Sequence, residues 1–387
     1  MLVLTLRKNL TVQGKLPSDL QDFCHHHLVF SNPVYDNFVK IKRFKPDWIA
    51  KYIVAYSLRG DTIVLPRGIF DQFKTWLEER GYGYQVRDLR RDVRVDDSFT
   101  FAGDDRQYQD ETVNLAIRRE QATIVLPAGA GKTDTIIQIV SQLSVRTLVL
   151  VHKLELIDQW RARIAMRIGE DSGYIQGKHW EEGTLFTIAS VQTLARKKLE
   201  PEFLKSFGCV VLDEGHHCPA THFRKIVQHF PARFRFAITA TPERSDHLEK
   251  FMYAVCGRPI ETVTTKDLFT EGYLSRPTVV PVHTAFRMPE YERTGEGVRP
   301  SVQWHKVAKA ISLNGERNQI ISSKDTSSYC RPPKDNVHRY SDDKKSWHPS
   351  ALNLDDVLAY ALRSFHNQAH PPSNENFFAG SAIKTQF

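Results

Sequence analysis

The sequence has few cysteines, and their placement excludes two kinds of small stabilised fold. Five cysteines are scattered over 387 residues, and none forms a C-x-x-C pair. We therefore predict neither a disulfide framework nor a zinc ribbon, and a reducing compartment suits the chain. No run reaches the roughly 18 apolar residues of a membrane span, and the N-terminus lacks the apolar stretch of a secretion signal. These absences predict a cytoplasmic protein with no membrane partner.

An excess of negative charge is absent as well. Lysine and arginine number 53, against 45 for aspartate and glutamate, which leaves a formal net charge of +8. A positive balance of this size is compatible with a phosphate-bearing partner such as a nucleic acid. The hydrophobic content of 41% is ordinary for a globular protein, and the length predicts about two or three compact units.

Residues 1–95 are predicted to form a small α+β module. Residues 62–65 have the composition of a strand and are followed by a proline. Residues 68–80 carry apolar side chains at helical spacing and are followed by a glycine, which is typical of a helix end. A further strand is predicted at residues 84–86.

Residues 96–286 alternate between short apolar runs and segments of helix length. Runs that are apolar at nearly every position are typical of parallel strands buried on both faces. Their alternation with helices predicts a doubly wound parallel sheet, whose ligands bind at the carboxyl ends of the strands. The predicted strands are 122–126, 147–151, 186–189, 210–212 and 236–239, and the clearest predicted helices are 132–143 and 154–168.

The regular pattern ends near residue 286. Residues 287–321 are predicted to be a linker, and residues 322–387 an atypical, poorly ordered tail without a second set of strands. The tail is rich in Ser, Asn, Asp, His and Pro, a composition that disfavours a packed core. Within it, residues 352–365 are amphipathic and compatible with one helix.

A phosphate-binding loop is predicted from Pro127 to Thr133. The segment Leu-Pro-Ala-Gly-Ala-Gly-Lys-Thr follows a predicted strand and opens a predicted helix, which is the context that such a loop requires. Lys132 supplies a charge for the β and γ phosphates of a nucleotide, and Thr133 supplies a hydroxyl for Mg²⁺. Leu126 stands where the strict pattern has glycine, so a chance glycine-rich turn is the alternative.

Two adjacent carboxylates follow the predicted strand at 210–212. Asp213 and Glu214 divide naturally into a holder of Mg²⁺ and a base that orients water. Alone, an Asp-Glu pair at a strand end is more often a solvated turn or a helix cap. Its occurrence downstream of a phosphate loop favours an ATP-hydrolysing site.

Together with Thr-Ala-Thr-Pro at 239–242, these motifs resemble those of the superfamily 2 DEAD/DEAH-box helicases and translocases, especially phage UvsW-like and xeroderma pigmentosum group B-like members. The resemblance implies an α/β fold, namely a RecA-like P-loop lobe with a parallel doubly wound sheet, preceded by the small α+β module and followed by an irregular tail. It implies ATP and Mg²⁺ as cofactors, DNA as the partner, and a bacterial or phage gene. The matching segments are 106–109, 127–133, 151–160, 187–194, 213–216 and 239–242.

The resemblance also implies roles for single residues. Asp213 and Thr133 would hold Mg²⁺, and Glu214 would activate water. Coupling of the nucleotide state to the grip on nucleic acid would fall to His216, Thr239 and Thr241. The implied nucleotide contacts are Arg106 and Gln109 near the adenine and Pro127, Ala128, Gly129, Ala130, Gly131, Lys132 and Thr133 at the phosphates, and the implied nucleic-acid contacts of the lobe are His152, Lys153, Ser190 and Gln192.

Two features beside the carboxylates need separate interpretation. Gly215 stands where the resembled family usually has alanine or cysteine, and the added backbone freedom predicts reduced activity. A zinc site is the second, because cysteines and histidines occur at 209, 216, 217, 218 and 222. Their spacing matches no standard ligand set, and a strand would spread them over both sheet faces. We therefore predict no metal other than Mg²⁺.

Basic and aromatic residues are interleaved between residues 38 and 48. Lys42 and Arg43 lie among Phe38, Phe44 and Trp48, a mixture that suits phosphate contacts and base stacking. A basic face over an aromatic core explains the composition equally well. The segment 65–68 resembles N-terminal modules of phage-type relatives that engage DNA, and the arginines at 87, 90, 91 and 94 are predicted to extend the basic surface toward the lobe.

The second motor lobe of the resembled family is not recognisable. Its arginine-finger pattern, Q-x-x-G-R-x-x-R, is missing between Met288 and Phe387, although Arg317-Asn318 fits the start of such a lobe. We expect a truncated, frame-shifted or recombined gene, and a second chain that supplies the lobe. Arginine fingers contribute roughly 10³ to 10⁵ in rate, so without them nucleotide binding would survive and processive unwinding would not.

Three functions are compatible with the sequence. The first is the ATP-binding motor lobe of a DNA helicase or translocase, weak or inactive alone. The second is a non-cycling nucleic-acid-binding remnant or regulatory protein, and the third is the motor subunit of a restriction-type complex. A small-molecule kinase is disfavoured, because it does not explain the motifs at 213–216 and 239–242.

Overall fold

The computed structural model describes residues 1–42, 48–96, 99–103, 106–217, 226–243, 248–274, 279–283, 310–316, 318–319 and 381–385. The chain divides into two compact units, Met1–Leu274 and Ser275–Phe387. The first unit contains both the N-terminal module and the larger lobe.

The N-terminal module is a five-stranded sheet with helices on one face. In chain order it contains β1 (Leu2–Leu6), β2 (Leu10–Gln13), α1 (Leu20–Leu28), β3 (Val29–Ser31), α2 (Pro33–Lys42), β4 (Tyr52–Val54), β5 (Ser57–Arg59), β6 (Thr62–Leu65), α3 (Phe70–Glu79) and β7 (Tyr84–Asp88). The sheet order is β5-β6-β2-β1-β7, and only β1 and β7 pair in parallel. Buried and partly exposed residues alternate along β1, because successive side chains of a strand point to opposite faces. The buried face packs on Phe23, Phe73 and Leu77 of α1 and α3.

The larger lobe is built on an eight-stranded sheet. Its elements are α4 (Gln107–Arg119), β8 (Gln121–Val125), α5 (Lys132–Leu143), β9 (Thr147–Val151), α6 (Glu155–Ile168), β10 (Gly173–Gln176), β11 (His179–Trp180), β12 (Phe186–Ser190), α7 (Val191–Ala195), α8 (Pro201–Lys205), β13 (Cys209–Asp213), β14 (Phe234–Thr239), α9 (Glu249–Cys256), β15 (Pro259–Ile260) and α10 (Thr265–Thr270). The order is β11-β10-β12-β9-β13-β14-β8-β15, and every pair except β10 with β11 is parallel.

Helices cover both faces of this sheet. Along β9, Val149 and Val151 belong to one buried cluster while Leu148 and Leu150 belong to another. This alternation is what a strand buried on both faces requires, and it explains the near-continuous apolar runs in the sequence. The predicted doubly wound α/β fold is confirmed, and its central strands begin and end within two residues of the predicted positions.

A buried arginine joins the module to the lobe. Arg67 is fully buried, and its guanidinium donates to Gln121 Oε1 (3.0 Å) and to the carbonyl oxygen of Ala232 (2.6 Å). Gln121 in turn donates to the Arg67 carbonyl (2.9 Å). A Cβ atom on Gly68 would lie 2.6 Å from the Ala254 carbonyl oxygen, so only glycine allows this backbone approach. The segment 65–68 therefore holds the module against the lobe, and the buried Arg67 side chain cannot contact DNA.

Two arginines that the sequence places on a basic surface instead make structural ion pairs. The Arg90 side chain is only 8% exposed, and it contacts Glu120 at 2.6 Å and Asp88 at 2.7 Å. Arg94 pairs with Asp92 at 2.8 Å. The predicted extension of the basic surface is therefore wrong at Arg90, whose side chain is buried in ion pairs, while Arg94 stays half exposed beside Asp92.

Within the second unit, the described residues include one antiparallel strand pair. β16 (Val279–His283) pairs with β17 (Ser381–Thr385), with Pro281 opposite Ile383. The sequence predicts a tail without a second set of strands, and the described part of the tail contains β17, whose isoleucine and threonine supply the strand preference. The predicted helix at 352–365 and the predicted contact Arg43 lie outside the described residues, and Lys42 is the last residue of α2.

Candidate nucleotide and nucleic-acid site

The predicted phosphate loop connects β8 to α5 in the expected way. Gly129 and Gly131 have φ angles of 80° and 77°, a left-handed conformation that glycine adopts without strain. Gly131 is the N-cap of α5, whose first residue is Lys132. Leu126 is fully buried, and its N–H donates to the Thr239 carbonyl (3.1 Å). The departure from the strict glycine pattern therefore occurs at a core position that still belongs to the sheet.

The segment Arg106-Gln-Tyr-Gln109 supports this loop by hydrogen bonds to its carbonyl oxygens. Gln109 is 6% exposed, and its Nε2 donates to the Ala130 carbonyl (3.1 Å), to which Tyr108 Oη also donates (3.1 Å). A Cβ atom on Gly131 would collide with this amide nitrogen. Arg106 donates to the Gly129 carbonyl at 3.4 Å. The structure thus brings Arg106 and Gln109 to the phosphate loop, while their contact with adenine stays a prediction.

The exposed tip of the loop is formed by Ala128 and Gly129, between buried Pro127 and buried Ala130. Lys132 and Thr133, the first two residues of α5, are partly exposed. Because the free N–H groups and the positive end of the helix dipole lie here, an anion is stabilised at this end of α5.

Asp213 lies at the carboxyl end of β13 and is held by two donors. Trp160 Nε1 donates to its Oδ2 (2.8 Å), and the Glu214 N–H donates to its Oδ1 (2.9 Å). Burial raises the pKa of Asp213, the Glu214 charge adds to this, and the Trp160 hydrogen bond and the Lys132 charge oppose it. A carboxylate that is only 7% exposed is therefore kept costly to ionise until a cation compensates it.

Glu214 has the opposite electrostatic setting. Burial alone would raise its pKa, but a hydrogen bond from His216 and the charges of Lys132, His216 and His152 outweigh burial and lower the pKa. Its φ angle of 51° is unusual for a residue with a side chain, and such backbone strain is concentrated at functional sites. Two adjacent carboxylates with opposite shifts suit different chemical roles.

A path of hydrogen bonds leads from Glu214 to the next strand. His216 Nδ1 lies 3.2 Å from Glu214 Oε2 and 3.1 Å from Thr239 Oγ1. Thr239 in turn accepts a hydrogen bond from the Thr241 N–H (3.3 Å) and donates to the Thr241 carbonyl (3.2 Å). The three residues predicted to couple the site to nucleic acid are thus connected to the predicted base.

The predicted nucleic-acid contacts of the lobe also lie together, although the side chains of Ser190 and Gln192 form hydrogen bonds within the protein. Ser190 is 2% exposed and donates to Gln192 Oε1 (2.8 Å), while Gln192 Nε2 donates to the His152 carbonyl (2.8 Å). Lys153 is exposed. Burial, followed by the charge of Lys153, lowers the pKa of His152. The structure therefore leaves Lys153 as the exposed cation of the set and gives Ser190 a supporting position.

Gly215 is required by its surroundings. A Cβ atom there would lie 2.6 Å from Ala237 Cβ and 3.2 Å from Met252 Sδ, and the first distance is shorter than real carbon contacts. The space that an alanine would need is filled from the neighbouring strand and from α9. The glycine is therefore a packing requirement of this chain.

The sequence interpretation missed two residues that hold the site. Trp160 is 2% exposed and occupies the buried stripe of α6, so its indole N–H needs an internal acceptor. Asp134 follows Thr133 and is 8% exposed; it forms ion pairs with Arg163 and, at 3.0 Å, with Arg167. Helical spacing of Trp160 and the acidic residue in the first turn of α5 were the available signals.

The donor set at this site fits Mg²⁺, which prefers oxygen ligands. The Asp213 carboxylate and the Thr133 hydroxyl supply them. Each Asp213 oxygen accepts one protein hydrogen bond, so acceptor capacity is left for a cation. In the part of the chain that the structure describes, no group of three His, Cys, Asp or Glu side chains could hold a metal. Cys209 and His216 lie at opposite ends of β13, and Cys218 and His222 lie outside the described residues.

None of the described helices is long and apolar enough to cross a membrane.

The segment that carries these motifs is similar to a known protein family. Residues 103–244 match the family described as type III restriction enzyme, res subunit. The matched segment includes the phosphate loop, both carboxylates and the motif at 239–242.

Curated relatives share this part of the chain. The DNA 3'-5' translocase XPB2 of Sulfurisphaera tokodaii is 30% identical over 210 residues, which are 54% of this chain and 46% of that protein. The putative DNA 3'-5' helicase Rad25 of Halobacterium salinarum is 32% identical over 202 residues, 51% of this chain and 33% of that protein. The chain therefore spans less than half the length of these relatives.

A solved structure is similar over a longer range. The UvsW helicase from bacteriophage T4 superposes with a TM-score of 0.51 at 15% sequence identity, covering 67% of this chain and 99% of that chain. At this identity the similarity shows the fold alone, a mixed α/β fold with a large, mostly parallel sheet of the RecA-like kind.

Proposed function

We propose that this chain is the ATP-binding motor lobe of a DNA helicase or translocase, because residues 103–244 match the restriction-enzyme res-subunit family and similar proteins are named DNA translocase and putative DNA helicase. It hydrolyses ATP to ADP and phosphate and couples this step to the remodelling of nucleic acid. One observation carries the proposal: Glu214 is connected through His216 to Thr239, beside the phosphate loop. A simple nucleotide-binding domain has no need of that path.

The nucleotide is held by the loop and by Lys132. The N–H groups at the start of α5 and the Lys132 ammonium contact the phosphates, and Arg106 with Gln109 lies at the adenine side. Thr133 and Asp213 hold Mg²⁺, which neutralises charge on the β and γ phosphates when bound. The supporting observations are the left-handed glycines, the partly exposed helix start and the unused acceptor capacity of Asp213.

Glu214 acts as the base that orients water. The hydrogen bond from His216 and the neighbouring positive charges lower its pKa against the effect of burial, so the carboxylate is ionised at neutral pH and able to accept a proton. His216 and Thr239 transmit the state of this carboxylate to the strand end that carries Thr241. Lys153 contacts the nucleic-acid backbone at the same edge of the sheet.

The proposal includes partners. DNA is favoured over RNA by the names of the relatives, a DNA translocase and a putative DNA helicase. Full hydrolysis requires arginine side chains of a second lobe, and no Q-x-x-G-R-x-x-R pattern occurs between Met288 and Phe387. We propose that a second lobe supplies them, and addition of such a lobe as a separate protein would raise the ATPase rate.

ATP hydrolysis with and without forked DNA tests the proposal. Lys132→Ala is expected to abolish nucleotide binding, whereas Glu214→Gln, which keeps the size of the side chain, retains binding and loses turnover. Lys266→Ala is the matched control, because this exposed lysine lies on α10 and does not belong to the phosphate loop. DNA-stimulated hydrolysis that survives in Glu214→Gln at the rate of the unaltered protein contradicts the assigned role.

The matching family favours one alternative, the motor subunit of a restriction-type complex. The two functions differ in what stimulates hydrolysis. A helicase lobe responds to forks or single strands, whereas a restriction motor responds to duplex DNA that carries a recognition site and to its partner subunits. If the Lys132→Ala variant and the unaltered protein both bind nucleic acid and neither hydrolyses ATP, the chain is instead a non-cycling nucleic-acid-binding protein.

A further inference from the structure

An open cleft lies where the N-terminal module meets the lobe. Its volume is about 550 Å³, and its lining residues are Arg7, Leu89, Arg90, Arg91, Lys205 and Pro231. The first four belong to the module and the last two to the lobe. Because β1 and β7 pair in parallel, with Leu6 opposite Asp88, the residues that follow the two strands leave the sheet side by side.

Arg7 and Arg91 contribute positive charge to this cleft, and the fold uses their main chains but not their side chains. Both residues are exposed. Their backbones are structural: the Arg7 carbonyl accepts from Arg67 (3.0 Å), and the Arg91 N–H donates to the Pro231 carbonyl (2.7 Å). In the described part of the chain, neither guanidinium has a hydrogen-bond or ion-pair partner. Each main chain is therefore fixed while its charge is available to a ligand.

The other two cations of the cleft differ in availability. The Arg90 guanidinium is used by Asp88 and Glu120, as described above. Lys205 has only a distant contact with Glu202, at 3.8 Å on an exposed surface, and such pairs contribute little. Three positive side chains thus face one opening from two different domains.

An apolar floor accompanies these charges. Leu89 is 56% exposed, and Pro231 lies beside it in the lining. Cations around exposed apolar surface match a ligand that has both phosphates and less polar parts, as the sugar-phosphate chain of a nucleic acid does.

The cleft is separate from the nucleotide site. Arg91 forms a parallel bridge with Ala232, just before the start of β14, whereas Thr239 and the phosphate loop lie at the carboxyl end of that strand. A strand rises about 3.3 Å per residue, so roughly 20 Å of sheet separates the two places. The cations of the cleft therefore cannot serve the phosphates of ATP.

We propose that this cleft binds the phosphate backbone of the nucleic acid on which the lobe acts. This second contact lies at the start of β14, at the other end of the sheet from the nucleotide site. The inference rests on the proposed function for the identity of the polyanion. Arg7, Arg91 and Lys205 pair with successive phosphates, and Leu89 contacts sugar or base. The cleft is open and its available cations are exposed, which suits an extended chain of phosphates and not a single enclosed anion.

The test compares the binding of labelled duplex and single-stranded DNA by the unaltered full chain and by the double variant Arg7→Gln/Arg91→Gln. Arg59→Gln is the matched control, because Arg59 is an exposed arginine on β5, at the opposite edge of the five-stranded sheet from β7. Fluorescence anisotropy is recorded from about 50 to about 200 mM salt. Thermal unfolding of each variant shows whether the fold is kept.

The double variant is expected to bind DNA about tenfold more weakly. Its slope of log K against log salt is expected to become less negative by about two, because two phosphate contacts are lost. Basal ATP hydrolysis and the control variant stay unchanged. An unaltered slope in the double variant overturns the inference, and so does displacement of DNA from this cleft by millimolar inorganic phosphate, which would indicate a small-anion site.

Failure of the proposed function is distinguishable from failure of this inference. DNA binding by the cleft requires no nucleotide, so Lys132→Ala is expected to bind DNA with the salt slope of the unaltered protein. If no variant and no condition gives ATP hydrolysis, the proposed motor function is wrong. The salt dependence of DNA binding in the unaltered protein and the double variant still shows whether the cleft binds DNA.

Discussion

Replacement of Trp160 with phenylalanine should alter the acid side of the pH dependence of Mg²⁺-nucleotide binding. The substitution keeps an aromatic ring in the buried stripe of α6 and removes the indole N–H that donates to Asp213 Oδ2 at 2.8 Å. That hydrogen bond opposes the upward effect of burial on the pKa of Asp213. Without it, the pKa of Asp213 rises further above its usual range.

The size of the change follows from the strength of one hydrogen bond. A hydrogen bond to a charged group contributes about 1.5 to 3 kcal/mol, so its loss makes the ionised form of Asp213 more costly by up to this amount and raises the pKa of Asp213 further. Mg²⁺ binds the ionised carboxylate. The pH below which Mg²⁺-dependent binding is lost therefore moves upward, and more Mg²⁺ is needed at any lower pH.

Binding of a fluorescent ATP analogue, measured across pH and Mg²⁺ concentration, provides the assay. It gives a result whether or not the chain turns over ATP. Trp180→Phe is the control, because Trp180 lies on the edge strand β11 and is 37% exposed. A mere packing defect would lower stability at every pH. An acid limit in Trp160→Phe that coincides with that of the unaltered protein would refute the assigned role.

Three further substitutions test other parts of the structure. Gly215→Ala is expected to cost about 1–3 kcal/mol by overpacking against Ala237 and to lower ATPase activity, and Ala237→Gly in the same chain should restore both; a gain in activity from Gly215→Ala alone would contradict this. Arg67→Met should lower the free energy of unfolding in urea by about 1–3 kcal/mol, because it leaves buried hydrogen-bond acceptors unpaired; an unchanged free energy of unfolding would show that the contact between module and lobe is weak. Hydrogen bonds from Arg163 and Arg167 lower the pKa of Asp134 despite burial, so the stabilisation that they give is present above the unfolded pKa of about 4 and is lost as the pH falls. The stabilities of Asp134→Asn and of the unaltered protein should therefore converge in acid. A difference in denaturation midpoints that stays constant with pH would argue against the ion pair.

Much of the lobe was predictable because its signals are local. Thr147–Val151 and Lys132–Leu143 have the predicted bounds, since a run of apolar residues or a helical apolar stripe is fixed by neighbours along the chain. The phosphate loop and the Asp213-Glu214 pair were predictable for a related reason. Parallel strands bring their carboxyl ends to one edge, so separate motifs that follow strands must meet there.

Other features of the folded chain depend on partners that are distant in sequence. Arg90 was predicted on a basic surface, but Glu120 from the lobe neutralises it. Gly215 is predicted to reduce activity, which stays a prediction, and the structure adds that Ala237 and Met252 leave room only for glycine. Neither neighbour is visible in a local pattern, because packing density and ion pairing are properties of the folded chain.

Spacing and composition along the chain specify the five central strands of the lobe, the helices at 132–143 and 154–168, the phosphate loop and the acidic pair. Only the tertiary structure decided which side chains hold that site and which remain available. Trp160 meets Asp213 across 53 residues, and Arg67 meets Gln121 across 54. The same docking that buries Arg67 leaves Arg7 and Arg91 exposed around a cleft, because a fixed backbone decides which charges are satisfied inside and which remain at the surface.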